Sequence, residues 1–315
     1  MKDSAKLKLI SKVAQLYYLE NYMQKDIAKK MSISRVAVSR ILTKAKKLKL
    51  VEIKINNLKN TFQNLELEIE KKYKLKECII VSTFENGKNT FIELSKYLSE
   101  TLDRIVKPGN YIGVSWGYSL GVISENIEIK QKNNISVIPI IGSLGVIEEG
   151  INSNIIAKSF AQGFGGVSYL INSPAVLESV EAKRVMENEE NNKKIFELSK
   201  NLDVAIVGAS DLGPESTLYK FSNYKTEDFE YLTKIGVKGV VNLSSLDKDG
   251  NVLPNIVDER TMALSFDKLK KVKTVILIAV GARKKEIIEA ALKSGIIKIF
   301  MTDEATARSI NFDNK

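Results

Sequence analysis

Six side chains near the amino terminus, Gln24, Ser34, Arg35, Ser39, Arg40 and Lys44, bring amide, hydroxyl and cationic groups together at helical spacing. A guanidinium grips a guanine edge or a phosphate through paired N–H groups, and a serine hydroxyl donates to either. All six lie within Gln24–Lys47, QKDIAKKMSISRVAVSRILTKAKK, which reads as two short helices joined by a turn. Ile27, Ala28 and Met31 share one face of the first helix. Val36, Ile41 and Ala45 are available to bury on the second, and Ser32 and Ser34 offer N-cap oxygens before it. A helix with a narrow apolar stripe and a hydroxyl-and-guanidinium face is one a major groove accepts. The same pattern fits a plain surface helix with solvated cations, so the distribution of charge must decide.

A second set of groups follows apolar runs farther along the chain. The turns are Trp116-Gly117-Tyr118-Ser119, Gly142-Ser143-Leu144-Gly145, Gly208-Ala209-Ser210 and Gly281-Ala282-Arg283-Lys284. Glycine lets a backbone approach a ligand closely, and hydroxyls beside the free N–H groups of a helix start suit phosphate or sugar oxygens. Each alone is an ordinary turn. Together, with Lys284 opening a helix, they point to a pocket that accepts an anion. Asp247-Lys248-Asp249-Gly250 resembles a hairpin turn, in which an Asx-type turn with a solvated carboxylate suits Asp249 better than Asp247.

Charge separates the two readings of the first set. The net charge is +10 over 315 residues, and residues 1–60 hold 15 Lys and Arg against 4 Asp and Glu. The remainder is close to neutral, so the whole excess sits around the helix pair, as a polyanion-binding module on a neutral domain requires. An anionic membrane would call for a helix with bulky apolar residues opposite its cations, and none is seen. There is no histidine anywhere. That removes the commonest general base and metal ligand and every Ser–His or Cys–His nucleophile pair. No metal site and no cofactor are expected. The single cysteine, Cys78, falls in the apolar run CIIVS and reads as a buried core thiol. The amino terminus lacks a secretory pattern and no apolar run is long enough to span a bilayer, so a cytoplasmic protein is expected.

These groups need elements to hold them. Leu9, Ile10, Val13, Leu16, Tyr17 and Leu19 form a helical stripe that can brace the helix pair, and Val51, Ile53 and Ile55 alternate like a short wing strand. A polar stretch at 56–61 reads as a linker. Phe62, Leu65, Ile69 and Tyr73 line a helix that can dock on the next domain or pair with a second chain. From Cys78 onward, apolar strands alternate with amphipathic helices. The strands are expected at 78–82, 111–115, 136–141, 167–171, 204–208, 239–243, 274–279 and 296–301, with helices at 152–164, 193–201 and 284–294. This is an α/β pattern with a mainly parallel sheet, whose ligands bind at the carboxyl ends of strands. The expected domains are a DNA-binding helix-turn-helix at 1–56, a linker helix at 57–76 and an α/β effector domain at 77–315.

At this level the sequence resembles a known family. Tyr17-Tyr18, Gln24, Ile27-Ala28, Ile33-Ser34-Arg35 through Val38-Ser39-Arg40-Ile41-Leu42, and Leu50-Val51-Glu52-Ile53 look like the winged-type helix-turn-helix of the SorC family. Its members are bacterial sugar-responsive transcriptional regulators, including the central glycolytic and deoxyribonucleoside regulators. The likeness runs in order from about residue 7 to 308. It takes in Val114 to Leu120, Pro139 to Gly145, Asn154 to Ala157, Gly165 to Pro174, Asp203 to Gly208, Asp247 to Gly250, Gly281 to Lys284, Ile288 to Leu292 and Thr302 to Thr306. The resemblance implies an effector domain of sugar-phosphate-isomerase-like fold without that catalysis. It further implies that Gly117, Tyr118, Ser119 and Lys284 hold an effector phosphate, with Ser143 and Asp247 facing the sugar and Ser115 and Gly142 in the same loops. The chain departs from the family at Leu243-Ser244-Ser245-Leu246, where glycine-arginine-phenylalanine-phenylalanine is usual, and at Ser143 and Ala282, where glycine is.

The reading reached is a homodimeric or homotetrameric regulator that binds double-stranded operator DNA and whose affinity is set by a sugar or sugar phosphate. Its alternative is a sugar-phosphate isomerase or deaminase carrying a DNA-binding arm, whose base would have to be a carboxylate such as Asp247 or Asp303. An architectural DNA protein would not need so large a neutral domain.

Overall fold

The computed structural model describes residues 2–52, 62–143 and 150–311. The chain divides into two units, Met1–Thr61 and Phe62–Lys315. In the first, α1 (Lys2–Tyr18), α2 (Gln24–Lys30) and α3 (Arg35–Lys47) close on Val13, Leu16, Ile27, Val38 and Leu42, with Ile10, Ala14 and Ala45 beside them. Ser34 is the N-cap of α3: its Oγ accepts the amide of Ala37 at 3.1 Å.

The buried stripe of α3 is Val38, Leu42 and Ala45, not the expected Val36, Ile41 and Ala45. At about 100° per residue, 38, 42 and 45 fall within roughly 60° of one another, whereas Val36 lies roughly 160° round from Val38. Val36 is therefore 61% exposed and Ile41 is half-buried. Leu19 lies past the end of α1 and is exposed, so it leaves the bracing stripe as well. Val51 packs beside Ile10, Ala14 and Ala45. The rest of the expected wing strand and the polar linker, residues 53–61, lie outside the described residues.

The second unit begins with α4 (Gln63–Tyr73), followed by β1 (Glu77–Val81), α5 (Gly87–Ile105), β2 (Tyr111–Val114), α6 (Tyr118–Glu125), β3 (Ser136–Pro139), α7 (Ser153–Phe164) and β4 (Val167–Ser168). After them come β5 (Val204–Val207), β6 (Ala209–Ser210), β7 (Gly239–Val241), β8 (Ser244–Leu246), β9 (Thr274–Ile278) and β10 (Ile297–Asp303). Seven strands form one parallel sheet in the order β1-β10-β9-β5-β2-β3-β4. Its strands are continuous apolar runs because both faces are covered. Val204 and Ile206 pack on one side with Val114, Leu120 and Ile278, while Ala205 and Val207 pack on the other with Leu277 and Ile287.

The expected strand at 239–243 exists but belongs to a separate antiparallel sheet, β6-β7-β8. Its hairpin turns on Asn242 and Leu243, at φ 49° and 58°. Positive φ at both central residues is the mark of the type I′ turn, whose usual second residue is glycine. Leucine there hides the hairpin from a sequence reading.

Helix α4 docks on the outer edge of β1. Ile69 and Tyr73 are buried against Cys78 and Ile80, and the Glu70 and Glu66 carboxylates accept the outward amides of Cys78 at 2.8 Å and Ile80 at 2.9 Å. These glutamates saturate donors that an open sheet edge would offer to another strand. Burial pushes the Cys78 thiol up, out of the reactive range.

Candidate functional site

The direction in which the chain adds strands reverses between the neighbours β2 and β5. From β2 the chain proceeds to β3 on one side, and from β5 the sheet continues to β9 on the other. The carboxyl ends of β2 and β5 therefore flank a topological switch point, where open α/β sheets bind ligands. A cleft of about 520 Å³, counting the solvent space open to it, lies there. Ser115, Gly117, Tyr118 and Ser119 reach it from the β2–α6 connection, Gly208 from the end of β5, Ser210 from β6, Asn242 and Leu243 from the hairpin, Thr217 from the start of a short helix, and Lys284 from the helical turn after β9. A second cleft of about 830 Å³ shares Tyr118, Ser119, Thr217 and Lys284 and adds Lys220 and Arg283. A larger cleft of about 1360 Å³ beside Asp258 contains none of the expected effector residues.

Each polar element of the cleft has a local cause. Gly117 caps α6 at φ 122° and ψ 162°, a region open essentially to glycine alone. This aims the first-turn amides of Tyr118, Ser119 and Leu120, which have no intrahelical acceptor, at the cleft. A Cβ on Gly117 meets no atom within 4 Å, so its requirement is conformational and not steric. Gly117→Ala is expected to cost about 1–3 kcal/mol through backbone strain. The measurement is the chemical-denaturation midpoint, and an unchanged midpoint refutes the assignment.

Gly281 turns the chain after β9 with φ 116°, and its amide donates to Thr306 Oγ1 at 2.7 Å. That turn delivers Lys284. The residue is half-buried by exposed area, yet protein atoms crowd its ammonium. Burial is the chief influence and holds its pKa below the usual lysine range, Asp211 pulls it back up, and Arg283 adds to the depression. Asp211 accepts the Gly213 amide at 2.8 Å through Oδ1. Its buried Oδ2 lies 3.2 Å from Arg283 Nε, an ion pair without hydrogen-bond alignment. A cation short of solvent beside first-turn amides and a serine hydroxyl is an anion-accepting arrangement.

Ser115, Gly117, Tyr118, Ser119 and Lys284 are thus brought together from residues far apart in the chain. Gly142, Ser143 and Asp247 are not. Gly142 is a packing junction: its amide donates to the Met262 carbonyl at 2.7 Å, and a Cβ would stand 2.5 Å from the Pro174 carbonyl oxygen. Ser143 bridges to Pro174, and its Oγ donates to the Ser173 carbonyl at 3.2 Å. Leu144 and Gly145 lie outside the described residues. The Asp247 carboxylate accepts the amides of Asp249 and Asn251, both at 2.9 Å, and the Asn251 side chain at 3.1 Å. Burial is the largest single influence and pushes its carboxyl up, but the donors from Asn251, Asp249 and Gly250 together outweigh it and hold the carboxyl below the usual range. Asp247 itself, rather than Asp249, closes the Asx turn, and it does not line the cleft.

Asn242 was not anticipated. Its Nδ2 donates to the carbonyls of Ile140 at 3.3 Å and Leu264 at 3.0 Å, so its Oδ1 accepts the Ser115 hydroxyl at 2.9 Å. Ser115 therefore turns only acceptor lone pairs toward the cleft. That suits a hydroxyl-bearing ligand at this end and an anion at the Lys284 end.

In the first unit, Ser34, Arg35, Ser39, Arg40 and Lys44 are exposed and Gln24 is half-buried at the first position of α2. The Ser34 Oγ accepts within the protein but keeps its proton to donate. Neither Arg35 nor Arg40 has a protein partner among the described residues. Arg40 lies roughly 160° from Val38, at the outward pole of α3, whereas Arg35 lies roughly 60° from it, on the flank.

The family described as "Putative sugar-binding domain" matches residues 58–310. The deoxyribonucleoside regulator of Bacillus subtilis is 28% identical over 309 residues, covering 98% of each chain. The sorbitol operon regulator of Klebsiella pneumoniae is 28% identical over 312 residues, again covering 98% of each. The crystal structure of full-length sorbitol operon regulator SorC from Klebsiella pneumoniae superposes with a TM-score of 0.75 at 27% identity, covering 97% of this chain and 99% of that one. No described helix is long and apolar enough to cross a membrane. Matched over most of its length, the chain belongs to the sugar-binding-domain family of SorC-type transcriptional regulators.

Proposed function

We propose that the cleft at the β2–β5 switch point is the effector site of this transcriptional regulator, and that it takes a sugar carrying a phosphate. The phosphate lies against the first-turn amides of α6, the Ser119 hydroxyl and Lys284, and a sugar hydroxyl donates to Ser115. Helix α3 reads operator DNA through Arg40 and Ser39, while Arg35, Lys44, Ser34 and Gln24 hold phosphates. One observation carries this reading: Ser115, Gly117–Ser119 and Lys284, chosen as a ligand-binding pattern, converge on a single cleft at the switch point. A single small helix reads only a half-site, so the working form is a two-fold or four-fold assembly. A protein that acts on the chromosome of a bacterium works in the cytoplasm.

Catalysis is no part of the proposal. Asp247 is committed to its turn, and Asp303 is buried, accepting from Thr83 Oγ1 at 2.6 Å and from the Thr306 amide at 3.3 Å. Neither lines the cleft, so both are poorly placed to move a proton on a ligand there.

The test measures the affinity of the full-length protein for a duplex selected from a random pool, with and without each member of a panel of sugars and sugar phosphates. A coupled effector changes the apparent Kd by about 5- to 150-fold. Binding of a sugar phosphate with no change in DNA affinity would sink the regulatory half of the proposal. Turnover of any panel member would favour the isomerase or deaminase alternative.

A further inference from the structure

We propose that Val36 reads the C5-methyl group of a thymine in the operator, and so sets base preference at one position of each half-site. The inference rests on the DNA-reading role given to α3 and goes beyond it.

An aliphatic side chain on α3 belongs with the buried stripe, where Val38 is fully buried and Leu42 is 5% exposed. Val36 is instead 61% exposed, close to the outward pole of the helix, in its first turn. It stands one turn before Arg40, and the two residues bracket that pole symmetrically about Val38. Exposed hydroxyl and cationic side chains, Arg35, Ser39 and Arg40, surround it. Valine also has a poorer helix propensity than alanine, and an exposed site gives it no packing in return. Helix stability therefore does not explain the residue.

The charge around Val36 specifies the partner. A hydrophobic protein surface would have to desolvate the guanidiniums of Arg35 and Arg40 to reach it, whereas a polyanion is attracted by them. In the major groove the one apolar group on a base edge is the thymine methyl, and the first turn of a reading helix lies closest to the bases. Residues four apart on a helix have Cβ atoms about 5–6 Å apart, close to two base-pair steps of about 3.4 Å. The thymine is therefore expected within two base pairs of the base read by Arg40.

The experiment selects duplexes from a randomised pool with the full-length protein, aligns them, and replaces each recurring thymine in one half-site by deoxyuridine, which lacks only the methyl group. One replacement is expected to weaken binding by the wild type about three- to tenfold, the worth of one buried methyl contact. The same replacement should cost Val36→Ala nothing, and that variant should select sites with no preference at this position while keeping the rest of the consensus. Its thermal midpoint should equal or exceed that of the wild type, which separates a reading role from a folding role. Tolerance of deoxyuridine at every thymine, or a penalty that persists in Val36→Ala, overturns the inference while leaving α3 as the reading helix. Failure to enrich any sequence overturns both.

Discussion

Lys284→Met is expected to weaken binding of the phosphorylated effector by about one to two orders of magnitude, while leaving the protein folded and able to bind its operator. Charged hydrogen bonds to a phosphate contribute about 1.5–3 kcal/mol each, so the loss of affinity should be about 10- to 150-fold. Calorimetric titration of the effector gives the number. A thermal scan gives the complement, because a ligand that binds only the folded state raises the midpoint by mass action, and that rise should disappear. Without ligand the variant should be the more stable of the two, by roughly 2 °C, because an ammonium crowded by protein atoms is replaced by an apolar side chain of similar reach.

The pH dependence carries its own sign. The folded-state pKa of Lys284 is lowered, chiefly by burial. Between that value and the unfolded value of about 10.4, the unfolded chain binds more protons, so stability contributed by this group rises with pH across that window. Below the folded value the full cost of the buried charge remains. The wild type should therefore gain stability relative to Lys284→Met as pH rises toward 10. A flat difference would show that the ammonium is solvated, and the anion site would lose its argument. Unchanged effector affinity in the variant would remove Lys284 from the site altogether.

Arg40→Ala should weaken operator binding more than any other single change on α3. Arg40 stands at the outward pole of the helix, exposed, with no protein partner among the described residues. A bidentate contact to a base edge is worth about 1–3 kcal/mol, or about 5- to 150-fold per half-site, and a two-fold assembly loses it twice. Arg35→Ala should behave differently. From the flank of the helix it reaches the backbone, so its loss should weaken all duplexes alike and reduce the salt slope by about one unit. Competition binding against selected and scrambled duplexes at several salt concentrations separates the two. A uniform loss in Arg40→Ala with a flattened salt slope would reassign Arg40 to phosphate.

Local pattern was enough to place most of the elements. Helical spacing in Gln24–Met31, apolar runs such as VAIV at 204–207, and glycine with a hydroxyl after a strand are properties of neighbouring residues, and each strand expected from them is present. The surplus of positive charge is additive along the chain and needs no fold to be counted. The glycine turns after β2 and β9 are legible for the same reason: their backbone conformations exclude other residues.

Tertiary structure decided the rest, because it concerns partners distant in sequence. Period gives the angle between residues on α3 but not which face meets the core, and contact with Val13 and Ile27 chose Val38 over Val36. Asp247, Ser143 and Gly142 carry suitable groups, yet hydrogen bonds and close packing hold them outside the cleft. Asn242 entered it because Ile140 and Leu264 supply carbonyls on either side of its amide, which fixes the direction of the bond to Ser115. A polar side chain is a functional group only to the extent that its hydrogen-bonding capacity is left unspent, and only the assembled fold determines what has been spent.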